Sequence, residues 1–380
     1  NENIILIVLD YFGNQDMQLV QDQYPDLMDC LHDFTYYNNA DCNYYGTFPA
    51  MPYMLTGQPV DPSIPIAEWC NNIWTSTDTL SFYQQLREKG YTSHLYTVEP
   101  EYICGDLSLS TLSTCFDNID NIVNEVDIFY KKLFKTLTKM SCYRMSPEIM
   151  KNSFYTLGTE YSDLIVYNYD FVYHNNDEFY SKLLEKGIRT DSESNYFIVQ
   201  HLLGLHDYTI NHKCEPSKDS TLEETARGCM VMVEEYLNQL KTAGVYDNAT
   251  IIVTADHGDF IDSQVIFYIK QPGEQHDVSP VTNAPISHTE LRPTLAAAAG
   301  LDSTQFGQTI YDFYQDQQRE RQVWIRSYSS DHPPVTQYTQ NRQSRFNVYN
   351  VYTYTGDYSD LLKQWEQNSY DVVPMYDCIF

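Results

Sequence analysis

Two apolar runs that end at metal-ligand side chains constrain this chain most. Ile4-Ile5-Leu6-Ile7-Val8-Leu9 stops at Asp10, and Ile251-Ile252-Val253 leads through Thr254-Ala255 into Asp256-His257-Gly258-Asp259. Uninterrupted apolar runs of this kind predict strands buried on both faces, as in a parallel sheet covered by helices. In open sheets of that class the ligand crevice lies outside the carboxyl ends of the strands, so Asp10, Asp256 and His257 fall where chemistry is done. Between them, Gly46-Thr47-Phe48-Pro49-Ala50-Met51-Pro52 is expected to set a hydroxyl in a proline-fixed turn.

The 380 residues suffice for a large α/β domain with a small appendage. Twenty-three basic against 52 acidic residues leave a formal charge of -29. That balance argues against nucleic acid or an anionic lipid surface as a directly gripped partner and suits a cation-dependent site. The 34 tyrosines in a polar chain fit a wet, carbohydrate-facing or extracellular surface. Nine cysteines include no C-x-x-C pair, which excludes a structural zinc cluster. In an oxidising compartment Cys30 with Cys42, Cys104 with Cys115, or Cys214 with Cys229 can pair; buried thiols fit the sequence equally well. No run reaches the roughly 20 apolar residues of a membrane-spanning helix. Because the chain opens at Asn1 and enters its first strand at once, an upstream targeting or membrane-anchoring region is expected.

Along the chain, Asp22 to His32 reads as a short helix and Thr35 to Tyr45 as strand and loop. Thr77 to Lys89 has helical spacing, with Gly90 as its stop and a strand from Thr92 to Thr97 behind it. Residues 118–187 read as mainly helical. Tyr196 to Val199 is a buried strand, and Thr221 to Ala243 places Leu222, Ala226, Met230, Val233, Leu237 and Leu240 on one helical face before Gly244. That helix precedes the Asp256 strand and completes a crossover unit. A strand near Val265 to Ile269 and a helix from Glu290 to Ala299 follow; the tail has alternating strands, Val323 to Tyr328 and Phe346 to Thr355, and a helix at Ser359 to Gln367. The expected division is a catalytic domain at 1–310 and a small C-terminal α+β subdomain at 311–380.

A threonine hydroxyl is a poor nucleophile at neutral pH, and a divalent ion on its oxygen lowers its pKa. Asp10, Asp256, His257 and Thr47 make a mixed oxygen and nitrogen set suited to Mn²⁺ or Zn²⁺, with Mg²⁺ less favoured by imidazole. Such an ion also clamps a phosphoryl oxygen.

Asp10 after an apolar strand, Thr47 in Gly-Thr-Phe-Pro and Thr254-Ala255-Asp256-His257-Gly258-Asp259 resemble the alkaline phosphatase superfamily. The nearest likeness is to its sulfatase-like branch, which contains lipoteichoic acid synthases and phosphoethanolamine transferases. The resemblance extends in motif order from Asn3 to Leu301, with Pro293-Thr294-Leu295 and Gly300 at the spacing of sulfatase-like proteins. It implies a three-layer α/β/α fold with a mainly parallel sheet. It also implies a metal-dependent phosphotransferase that moves a phosphoglycerol or phosphoethanolamine-type group from a phospholipid to a glycan or polymer through a phospho-threonine, on the extracellular face of a bacterial membrane.

Two departures sharpen the expectation. Asp10 stands where lipoteichoic acid synthases carry Glu. The C/S-x-P-x-R signature of true sulfatases is replaced by Thr47-Phe48-Pro49-Ala50-Met51, with Tyr11 in place of a second Asp, which disfavours sulfate esters. His206, in Gly204-Leu205-His206-Asp207, resembles the family histidine that meets the head group or protonates the leaving alcohol. His276 and His288 are candidates for a second ion or for phosphate, Arg144 lies in the region of a phosphate-contacting arginine, and His201 reads as structural. Each motif has a plainer reading: Asp10 as a helix cap, Thr47 as a turn hydroxyl, Asp256-His257 as a polar turn, His206 as a strand-end polar group. Their combination carries the assignment. A hydrolase of the same fold, or an inactive cation- or glycan-binding surface module, is the alternative.

Overall fold

The computed structural model describes residues 2–97, 103–104, 114–117, 127–128, 130–151, 154, 165–166, 175–190, 194–258, 263–327 and 348–374. In chain order the elements are β1 (Ile4–Leu9), α1 (Asn14–Gln23), β2 (Thr35–Tyr37), β3 (Ala40–Asp41), α2 (Thr47–Thr56), α3 (Ile66–Trp74), α4 (Thr77–Glu88), β4 (Tyr91–Thr97) and β5 (Thr114–Asp117). Then come β6 (Asp127–Ile128), α5 (Tyr130–Met145), α6 (Glu148–Lys151), β7 (Ile165–Val166), α7 (Asn175–Lys186), β8 (Asn195–Leu202), α8 (Leu222–Thr242) and β9 (Thr250–Thr254). The chain closes with β10 (Phe267–Lys270), β11 (Val281–Thr282), β12 (Ile286–Ser287), α9 (Leu291–Ala298), β13 (Arg321–Ser327), β14 (Val348–Tyr354), α10 (Tyr358–Glu366) and β15 (Asp371–Pro374).

An eight-stranded sheet runs β11-β2-β10-β9-β1-β8-β4-β5. Its centre, β9-β1-β8-β4-β5, is parallel, and β10 joins antiparallel to both β9 and β2. All six residues of β1 and all five of β9 are buried. At about 1.5–3 kcal/mol for each fully buried aliphatic side chain, these strands fix the centre of the sheet. The crossover from β8 to β9 is α8. Thr221 accepts a hydrogen bond from the Glu224 amide at 3.3 Å to cap it, and Ala226, Met230, Val233, Leu237 and Leu240 are buried along one face.

A second, antiparallel sheet β13-β14-β15 carries α10, with Val323, Ile325, Tyr352, Tyr354 and Leu361 as its small core. The chain divides into two compact units, residues 1–118 with 175–380, and residues 119–174. The antiparallel sheet therefore belongs to the same unit as β1 and β9. No described helix is long and apolar enough to cross a membrane.

The first helix differs from expectation: it spans Asn14–Gln23 rather than Asp22 to His32. Tyr24 precedes Pro25, which disfavours helical backbone, and Tyr24 leaves the helix at φ -128, ψ 80. Only the three-residue turn Asp29–Leu31 occupies the later stretch. Cys30, Cys42, Cys214 and Cys229 are thiols, so neither Cys30–Cys42 nor Cys214–Cys229 is a disulfide. Cys214 and Cys229 instead donate to the carbonyls of Asn176 (3.6 Å) and Gly204 (3.3 Å). Cys104 is disulfide-bonded. Asp259, the side chain of Cys115 and the start of the expected Phe346 strand lie outside the described residues.

Candidate active site

The register of the sheet brings the two acid-bearing strand ends together. Val8 of β1 lies opposite His201 of β8 on one side and Thr254 of β9 on the other, so Asp10 and Asp256 emerge from neighbouring strands at one edge. Asp10 is held at both ends of its peptide: its amide donates to Leu202 O at 3.0 Å, and its carbonyl accepts from the Leu205 amide at 2.8 Å. Asp256 Oδ1 accepts from the His257 amide at 2.8 Å and from the Tyr11 amide at 3.3 Å. Tyr11 reaches that position in the left-handed region, φ 65, an uncommon backbone for a non-glycine residue and one that concentrates at functional sites.

Thr47 does not sit in a turn, as the prolines suggested, but opens α2. Gly46 takes φ +100 and lets the chain swing directly into the helix, while Pro49 falls in the first turn, where its missing N–H costs nothing. The hydroxyl thereby stands at a helix N-terminus, whose partial positive charge favours an oxyanion and a bound phosphate. It donates to Asp10 Oδ2 at 3.3 Å and lies 3.4 Å from His257 Nε2.

Asp10, Asp256 and His257 are all buried, and their ligand atoms lie within 4.8 Å of one another. His257 Nδ1 is 2.9 Å from Gly258 O, so in the neutral ring it carries the proton and leaves the Nε2 lone pair facing inward. That lone pair meets Asp10 Oδ1 at 3.4 Å and Asp256 Oδ2 at 3.6 Å. Asp256 Oδ2 is buried and accepts no hydrogen bond. Two carboxylates and an imidazole lone pair facing one another repel, and a divalent cation in their midst reverses the sign. The donor set therefore fits a metal ion. Burial raises the Asp256 pKa, but the neighbouring His257 and His201 and the hydrogen bond from the His257 amide outweigh it and hold the carboxyl below its usual range.

Aromatic rings wall this centre. Tyr11 and Tyr45 both stand edge-on to His257, at 5.2 and 5.1 Å between centroids. His206 is exposed, its ring centroid lies 5.9 Å from that of Tyr11, and it pairs with Asp207 Oδ2 at 2.9 Å, so it stands outside the metal ligands. His201 is buried with Nε2 3.9 Å from Asp10 Oδ2 and Nδ1 2.9 Å from Thr97 Oγ1, closer to the cluster than a purely structural reading expects. His288 is buried beneath it, donating from Nε2 to Ala255 O at 3.0 Å. His276 is not part of this group; it bonds Glu274 at 2.8 Å and its amide donates to Asp33. Arg144 is an exposed residue of α5, in the other compact unit.

Residues that no motif singles out complete the site. Buried Asn175 and Asn176, at the start of α7, receive the Leu203 and Gly204 amides at 3.1 Å each, and so hold the loop that carries Asp10's partner Leu205. On the other side, β13 pairs with the segment just before Thr47: Trp324 N donates to Asn43 O and Trp324 O accepts from Tyr45 N, both at 2.9 Å. Buried Arg321 forms an ion pair with buried Asp41 at 2.7 Å. The only sequence trace of these supports is polarity at apolar positions.

The sequence model of the sulfatase family matches residues 2–301. No curated protein matches the chain by sequence. Among solved structures it is similar to the phosphonate monoester hydrolase SpPMH from Silicibacter pomeroyi, at TM-score 0.52 and 14% identity, with 97% of this chain and 94% of that chain covered. It is also similar to a protein in the alkaline phosphatase superfamily from Vibrio parahaemolyticus, at TM-score 0.52, 13% identity and coverages of 94% and 78%. A likeness to the lipoteichoic acid synthase LtaP from Listeria monocytogenes has TM-score 0.49, 11% identity and coverages of 96% and 89%. The first two likenesses show the fold.

Proposed function

The chain belongs to the sulfatase family, and from that premise we propose that it is a metal-dependent phosphotransferase with Thr47 as its nucleophile. The observation that carries this reading is that Thr47 Oγ1, at the start of α2, lies 3.3 Å from Asp10 Oδ2 and 3.4 Å from His257 Nε2. Asp10, Asp256, His257 and Thr47 would hold the ion, Mn²⁺ or Zn²⁺ before Mg²⁺. When bound, such an ion lowers the hydroxyl pKa and neutralises charge on a phosphoryl oxygen.

Thr47 Oγ1 attacks phosphorus of a phosphodiester, and the bond from phosphorus to the leaving alcohol breaks. His206 supplies the proton that the departing alkoxide needs. An acceptor hydroxyl then passes its proton to His206 and attacks the phospho-threonine; the bond from phosphorus to Thr47 Oγ1 breaks, which transfers the phospho-substituent and frees Thr47. The donated group is phosphoglycerol or phosphoethanolamine from a phospholipid, and the acceptor is a cell-surface glycan or polymer. The residues Thr47-Phe48-Pro49-Ala50-Met51, without the sulfatase arginine, support phosphorus over sulfur. A disulfide at Cys104 supports an oxidising, extracytoplasmic location.

The test is phospholipid turnover with and without a glycan acceptor. Acceptor-dependent release supports transfer. Equally fast release without acceptor assigns a phosphodiesterase instead, a reading favoured by the same site if water reaches the phospho-threonine.

A further inference from the structure

One helix runs against the charge of the chain. Within the 21 residues from Lys131 to Lys151 lie six of the 23 basic residues and a single acid, Glu148, a local charge of +5 in a chain of -29. These residues form α5 and α6, and α5 itself contains no acid. The same helix leaves large apolar side chains in water: Phe134 is 74% exposed, Leu137 51% and Met145 87%.

At 3.6 residues per turn, Phe134, Leu137, Ser141 and Met145 share one face. Lys131 and Lys135 border that face on one side and Arg144 on the other, all three exposed. Thr136, the buried residue among the described side chains of the helix, points the opposite way.

We infer that α5 is a docking helix for an anionic lipid bilayer surface. It would lie in the interface plane with Phe134, Leu137 and Met145 at the acyl boundary and Lys131, Lys135 and Arg144 among the lipid phosphates. An exposed apolar stripe between two cationic edges is complementary to that surface in both respects. A soluble acidic partner would be met by the cations alone and would leave the stripe unexplained. A second copy docking through this face would set the cations against their own kind.

Overall charge argues against a gripped anionic lipid surface, but that argument averages over the molecule. Screening limits each charge to a neighbourhood of about 8–10 Å at moderate salt, so the segregated cations act on their own. This inference does not rest on the phosphotransferase reading.

The test is co-sedimentation of the 380-residue chain with vesicles of phosphatidylcholine alone or mixed with phosphatidylglycerol. Binding is expected only to the mixed vesicles, and raising salt from about 0.1 to about 0.5 M should weaken it about tenfold or more. Lys131→Glu/Lys135→Glu and Phe134→Ser/Leu137→Ser should each lower partitioning about tenfold, with unchanged circular dichroism. The milder Lys135→Gln should lower it in the same direction, which keeps the test valid if a double variant misfolds. No binding, equal binding to both vesicle types, or a dimer in sedimentation velocity that Phe134→Ser dissociates would overturn the inference.

Discussion

Gly204 presses on the backbone of Asp10 so closely that a Cβ placed on it would lie 2.2 Å from Asp10 O and 2.6 Å from Asp10 N. The glycine also sits at φ +57, where a side chain is strained even in open space. Gly204→Ala must therefore displace the backbone that carries the first metal ligand. We expect a loss of about 2–4 kcal/mol in urea unfolding together with weakened metal binding. Unchanged stability and unchanged metal affinity would mean that the loop yields and that Asp10 does not depend on it.

Arg321 and Asp41 are each 1% exposed, so neither charge has water to fall back on. Arg321→Met leaves the Asp41 carboxylate buried with Tyr354 as its remaining donor and should cost about 3–5 kcal/mol. Arg321→Met/Asp41→Leu removes both charges and should recover much of that loss. Chemical denaturation of the two variants checks the sign of the difference.

Acid should destabilise the fold through two histidines. Burial pushes the imidazoles of His201 and His288 down to about 4, against the pull of Asp256, whereas each titrates near 6.5 when unfolded. Between those values the unfolded chain binds more protons, so stability is lost as pH falls through that window. The loss should be roughly 2 kcal/mol per histidine between about pH 7 and pH 5. Urea unfolding in the presence of a chelator reads the slope, and His288→Asn should flatten it by about half if the two sites contribute alike.

Removing a ligand and removing the nucleophile should have different signatures. Asp256→Asn and His257→Ala take away a charge or a lone pair aimed into the cluster, and Mn²⁺ affinity measured by calorimetry should fall by more than about 100-fold, beyond what outer partners cost. Thr47→Ala removes only a neutral hydroxyl from the ion's ligands and leaves the two carboxylates and the imidazole in place. It should abolish turnover and keep metal affinity within about tenfold of the parent.

The parts legible in the sequence are those in which local chemistry and global position agree. The apolar runs of β1 and of Ile251-Ile252-Val253 in β9 read as central strands, and the acids that follow them mark the edge at which the site forms. The face of α8, from Ala226 to Leu240, is equally plain because its buried apolar residues recur in one periodic stripe. What the sequence hid are relations between distant segments. Asn175 and Asn176 are ordinary helix-start residues until Leu203 and Gly204 arrive to use their carbonyl oxygens. Trp324 reads as one apolar residue in an alternating strand, yet its backbone brackets Tyr45 beside the nucleophile. The proline-rich run after Gly46 suggested a turn, because Pro49 stops a helix in its interior and begins one in its first turn, and only the φ of Gly46 decides which.

The central claim is that the Thr47 hydroxyl becomes bonded to phosphorus. Intact mass measured after incubating the metal-loaded chain with a phospholipid donor, acceptor withheld, tests it most directly. The account predicts a head-group-sized phosphoryl increment that maps to Thr47 and is missing from Thr47→Ala. Turnover with no covalent increment under rapid quench, or an increment that persists in Thr47→Ala, would contradict it.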